Sequence, residues 1–140
     1  MKKLLLLLSI FIACLSVQAQ TSSVKKAQAS FEKAQEHLKT DRFDLAIFSL
    51  DEAVKADPGF QFAYIQLADI NRRIKAYHNA KLAYNSALTI GPVADVRLYY
   101  GLAEAEINTG DYTNALQHIT TFVNNYQGTD QDFIKKANKY

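Results

Sequence analysis

The sequence has no tryptophan, two prolines, five glycines and a single cysteine. That cysteine, Cys14, sits inside an apolar opening segment, so a chain processed after Ala19 carries no thiol, and neither disulfides nor thiol chemistry can hold or serve it. So few glycines leave no Gly-rich loop of the kind that cradles phosphate. Charge of one sign is also missing. Lysine and arginine number 16 against 14 acidic residues, and Lys2 and Lys3 of the opening segment account for the excess. A balanced chain lacks the basic stripe that would neutralise nucleic-acid phosphates, so nucleic acid is set aside as a partner. At 140 residues and 49% apolar composition, one domain with one core or one continuous stack is expected.

The opening segment, MKKLLLLLSIFIACLSVQAQ, has the layout of an export signal. Two lysines precede an apolar run from Leu4 to Leu15, and the small-residue ending Val17-Gln18-Ala19 follows. The run is shorter than the ~20 residues that span a hydrocarbon core, which disfavours a retained anchor. We expect residues 1–19 to be a cleaved signal peptide, 20–26 a flexible leader, and the product periplasmic or secreted. The stretch IFIAC loosely resembles the lipobox of bacterial lipoproteins, so the alternative is a lipid-anchored envelope protein, membrane-associated through Cys14 alone.

A period organises the rest. Ala34, Ala46, Ala53 and Pro58 recur 34 residues later as Ala68, Ala80, Ala87 and Pro92. With one further residue inserted, Ala68 and Ala80 map onto Ala103 and Ala115, and Phe43, Tyr77 and Tyr112 form another matched set. Between these markers apolar residues recur at helical spacing: Ala46, Ile47, Leu50, Ala53 and Val54; Ala80, Ala83, Tyr84, Ala87 and Leu88; Ala115, Leu116, Ile119, Phe122, Val123 and Tyr126. Each stripe requires a covering helix. The recurrent alanines let two helix backbones approach closely, the aromatics at 43, 77 and 112 are expected to fill wider gaps near the turns, and Pro58 and Pro92 end one unit and begin the next.

A period of this length, with Tyr64, Leu67, Ala68, Ala80, Tyr84, Ala87 and Pro92 in place, resembles the tetratricopeptide repeat. The third copy adds Tyr99, Leu102, Ala103 and the turn GDYTNA, whereas Ser30, Lys33, Phe122 and Gln127 depart from the pattern. The resemblance implies an all-α fold, a right-handed α-α superhelix of three repeats at 27–60, 61–94 and 96–129. After Gly128, a short helix at 130–140 is expected to cap the stack with Phe133, Ile134 and Ala137 while Lys135, Lys136 and Lys139 face water.

Catalytic signals are absent from the pattern. His37, His78 and His118 have no second histidine at i, i+4 spacing, so neither metal nor cofactor is expected. The carboxylate clusters Asp41 and Asp44, Asp51 and Glu52, and Glu104 and Glu106 read as turn caps and solvated faces rather than as an acid/base pair. The chain is read as a non-enzyme. The family resemblance implies instead that first helices line a concave groove for an extended peptide or a partner helix. On this sequence the groove comprises Gln28, Phe31, Gln35, Leu38 and Lys39, then Phe62, Ile65, Asp69, Arg72 and Arg73, then Arg97, Tyr100, Glu104, Ile107 and Asn108. Phe31 and Leu38 fit a packing stripe as well as a groove. The mixture of apolar residues and cations suits a segment with apolar anchors and some negative charge, with Arg72 and Arg73 expected as central, solvated cations. The Lys/Asn pattern that clamps a terminal carboxylate in chaperone-associated members is not recognisable. The alternative to a groove-binding module is a structural component that self-associates, or joins an envelope assembly, through its end faces.

Overall fold

The computed structural model describes residues 23–128 and Lys135. The signal segment and most of the capping helix expected at 130–140 lie outside the described residues, as does the start of the leader. Among the described residues the regular structure is helical throughout, in six helices: α1 (Lys25–Leu38), α2 (Phe43–Ala56), α3 (Gln61–Arg73), α4 (Tyr77–Ile90), α5 (Arg97–Asn108) and α6 (Tyr112–Asn125). The fold is all-α and of helical-repeat type. None of these helices is long and apolar enough to cross a membrane.

The three turns inside the helix pairs are built alike. Asp41, Lys75 and Gly110, one per turn and at repeat spacing, have positive φ of 53°, 63° and 80°. Just beyond each, the N–H of Arg42, Ala76 or Asp111 donates to the carbonyl five residues back, His37, Asn71 or Glu106, at 3.0, 2.8 and 2.8 Å. A left-handed residue with such a bond closes a helix C-terminus by satisfying carbonyls that have no partner inside the helix. Only the third turn uses glycine, the residue for which this conformation is unstrained. The link from α2 to α3 is held differently: Asp57 Oδ1 accepts the N–H of Gly59 at 2.9 Å beside Pro58, which cannot continue a helix.

The chain divides into two compact units between Ala63 and Tyr64, within α3. In the first, α1 and α2 pack side by side. Ala27, Ala34, Ala46 and Ala53 have no exposed surface, and Leu50 is fully buried with them. The Phe31 ring lies 5.1 Å from that of Phe60 and 5.5 Å from that of Phe62. In the second unit Ala68, Ala80, Ala87 and Ala103 are again fully buried, as are Tyr84, Leu102 and Phe122. Here α4 packs on α5 and α5 on α6, with Tyr100, Ala103, Ile119 and Phe122 forming one cluster edged by Val96, Tyr99 and Tyr126.

Two expectations are corrected. Lys25 and Lys26, assigned to the flexible leader, belong to the first turn of α1, and the Gln28 N–H donates to the Val24 carbonyl at 3.0 Å. Lysine is a good helix former, and the opening N–H groups of a helix need no internal partner, so the helix runs back to them. Tyr112, expected in a gap near the turn, is 69% exposed, and Leu116 and Val123 of the expected α6 stripe are exposed with it. Ala115, Ile119 and Phe122 use up the side of α6 that faces α5, and the other side is left exposed.

Candidate functional site

The expected groove residues fall in both units. In the first, Phe31 is buried against Phe60 and Phe62, and Leu38 is half-buried. Gln28 Nε2 donates to Glu32 Oε1 at 3.0 Å, and Lys39 pairs with Glu36 at 2.7 Å on the open surface. Gln35 is half-buried, and its Nε2 is a buried donor that no protein acceptor reaches. Phe62 keeps part of its surface exposed.

In the second unit the side chains converge. Arg72, from the last turn of α3, extends its guanidinium between three partners: Nη1 donates to Glu104 Oε2 of α5 at 2.8 Å, Nε donates to the Tyr84 hydroxyl of α4 at 3.2 Å, and Nη2 lies 3.9 Å from Asp69 Oδ1. The Tyr84 hydroxyl in turn donates a short hydrogen bond to Asp69 Oδ1. Burial, and then the charge of Asp69, push the Tyr84 pKa well above the ordinary phenol range, so this hydroxyl keeps the proton it donates. One cation thus ties α3, α4 and α5 together and is matched by two carboxylates.

Gly101 makes this convergence possible. A Cβ added there would fall 2.8 Å from Tyr84 Cζ, closer still to the Tyr84 hydroxyl, and 3.3 Å from Arg72 Nε. The residue is glycine because the α5 backbone passes directly over the Tyr84 and Arg72 side chains.

Arg97 is committed as well. Its Nε donates to both oxygens of Asp95, at 2.9 and 2.8 Å, and hydrogen bonding to Arg97 lowers the Asp95 pKa. Ile65 is half-buried, Arg73 is exposed, Tyr100 is buried against Phe122, Ile107 is half-buried, and Asn108 Nδ2 donates to the Glu104 carbonyl at 2.8 Å. The structure therefore brings Asp69, Arg72 and Glu104 together and puts Phe31 and Tyr100 into packed aromatic clusters. Arg72 is no solvated cation awaiting an acidic partner: its side chain is 28% exposed and its charge is already answered.

A second polar cluster lies where α5 meets α6. Glu106 is 2% exposed, and His118 Nδ1 lies 2.9 and 3.1 Å from its two carboxylate oxygens, while the Tyr99 ring stacks on the imidazole at 5.8 Å. Lys81 reaches across from α4 to Asp111 at 3.5 Å. Burial raises the Glu106 pKa, and the His118 contact only partly offsets it. Asp69, Arg72 and Glu104 were expected as groove residues but not as one another's partners, and Glu106, expected on a solvated face, is instead buried because α6 packs over it and His118 meets its carboxylate. A glycine inside the helical pattern at 101, and polar residues at the equivalent positions 71 and 106 of buried faces, were the available signals.

Residues 27–60 match the tetratricopeptide repeat. Among solved structures, the first TPR of Spaghetti (RPAP3) bound to the HSP90 peptide SRMEEVD is 17% identical, with a TM-score of 0.70 over 86% of this chain and 95% of that one. The second TPR of the same protein, bound to the same peptide, is 16% identical with a TM-score of 0.63, covering 70% of this chain and 90% of that one. The MamA protein is 19% identical with a TM-score of 0.63 over 84% of this chain, which spans 60% of the MamA chain. At these identities the likeness is one of fold. No curated protein matches the sequence.

The raised Glu106 pKa fixes a pH dependence. In the unfolded chain the carboxyl titrates near the ordinary ~4.3, and folding lifts it. The stability it contributes is therefore fully present below the unfolded value and is lost as pH rises through the folded one. Glu106→Gln removes that titration. Urea unfolding of both proteins from acid to neutral pH should show the parent losing ground to the glutamine variant as pH rises, and a constant difference would contradict the burial of a carboxylate here.

Proposed function

We propose that the chain is an exported, non-enzymatic protein-interaction module that docks a peptide or partner helix along the face formed by the first helices of its repeats. The observation that carries this reading lies in the second unit: Ile65, Asp69 and Arg72 follow one another at helical spacing on α3, and Arg72 links that helix directly to Glu104 on α5. The likeness in fold to TPR chains bound to a peptide supports it. The export signal read in residues 1–19 supports the location, with maturation at Gln20.

The acidic partner inferred from the arginines gives way to a different preference. Arg72 and Arg97 already hold Glu104 and Asp95, so recognition rests on apolar anchors and hydrogen bonds rather than on capture of a carboxylate. The SRMEEVD peptide should accordingly bind this chain weakly or not at all.

The test is a random-peptide display library panned on the mature chain, with the enriched peptide then titrated against the parent and Ile65→Ala. Loss of a central anchor should weaken binding by roughly tenfold or more, with little change in melting. Absence of any enriched peptide, or an unchanged affinity in the variant, counts against the module reading. For the location, intact-mass measurement of the protein from its native cells should give a chain starting at Gln20, and a lipid-modified chain starting at Cys14 would replace the soluble product with an anchored one.

A further inference from the structure

We propose that the outer edge of α6 is the contact surface of a homodimer, in which α6 of one copy lies antiparallel against α6 of a second. Tyr112, Leu116 and Val123 are 69%, 64% and 41% exposed, and their spacing puts them on one side of the helix. The preceding repeat shows what this edge is for. Its equivalent residues Tyr77, Lys81 and Leu88 are half-buried, and Lys81 reaches forward to Asp111 at the start of α6. The edge is thus the one onto which a following helix packs, and on α6 it stands exposed; beyond residue 128 the described chain holds only Lys135, which is helical and itself exposed.

The chemistry of the edge selects the partner. From Tyr112 to Asn125 there is no aspartate, glutamate, lysine or arginine, and the exposed neighbours Thr113, Gln117, Thr120 and Asn124 are all uncharged. Interface centres are depleted in charge, and a face without charge is matched by another without charge, which a second copy supplies by construction. Antiparallel apposition sets Tyr112 against Val123 of the other copy, a large residue against a smaller one, and brings the two Leu116 side chains close to the two-fold axis. Docking against the opposite end of the chain fits poorly: α1 exposes Lys25, Lys26, Glu32, Lys33 and Glu36. The association therefore closes as a pair rather than propagating as a filament. One helix edge falls short of the ~1,000 Å² of a stable interface, so the dimer is weak and forms with rising concentration.

Sedimentation of the mature chain over a wide concentration range centred on about 100 μM, where small interfaces dissociate, reads this directly. The parent should pass from monomer to dimer. Leu116→Asp and Leu116→Lys should each stay monomeric with unchanged melting, and mixing the two variants in equal amounts should restore the dimer, because the substituted side chains then meet as opposite charges. A parent that stays monomeric overturns the proposal; if Leu116→Asp also lowers its melting temperature, residues 129–140 rather than a second copy cover the edge. Dimers of Leu116→Asp as strong as the parent's, or no recovery on mixing, overturn it equally.

Discussion

The architecture depends on how closely its helices approach one another at a few small side chains. Ala34, Ala46 and Ala53 in the first unit, and Ala68, Ala80, Ala87 and Ala103 in the second, have no exposed surface, and each removes the bulk that would hold two backbones apart. Gly101 extends the rule to its limit, since even a methyl group there meets the Tyr84 ring. Once the helices are that close, larger side chains have defined places. Leu50 and Tyr84 fill matching positions one repeat apart, and the hydroxyl of Tyr84 lands where Arg72 and Asp69 both reach it. The polar network of the second unit is thus a product of the apolar packing beneath it.

That order of dependence explains what the sequence disclosed. The period, the helix pairs and the buried alanines are local and repetitive, so they can be read along the chain. The left-handed turn residues were visible only at Gly110, because Asp41 and Lys75 adopt the same conformation under the constraint of the helix ends around them. The partner of Arg72 is Glu104, a full repeat away in sequence, and no periodicity of single residues announces that pair. Arg72 consequently reads as a free cation in sequence and as a structural link in the fold. Tyr112 errs the other way. Its repeat position matches Phe43 and Tyr77, which are half-buried, but it lies on the side of α6 turned away from α5 and stays exposed.

Function follows from the same distinction between charges that are spent and surfaces that are not. Arg72 and Arg97 are matched by carboxylates, which leaves Ile65 of α3 as an anchor in the proposed reading. At the end of the stack α6 offers an uncharged edge. The partners proposed for the two surfaces differ accordingly, an extended segment for one and a like helix for the other. The buried Glu106 and His118 pair fastens α5 to α6 between them.

Gly101→Ala tests the central constraint most directly. The added methyl group must displace the Tyr84 ring or push α5 away, and either movement breaks the hydrogen bonds from Arg72 and to Asp69. Urea unfolding should show a loss of roughly 1 to 3 kcal/mol, as overpacking of a tight contact gives, although alanine is the better helix former in isolation. A variant as stable as the parent, or more stable, would contradict the close approach on which this packing and its polar network are built.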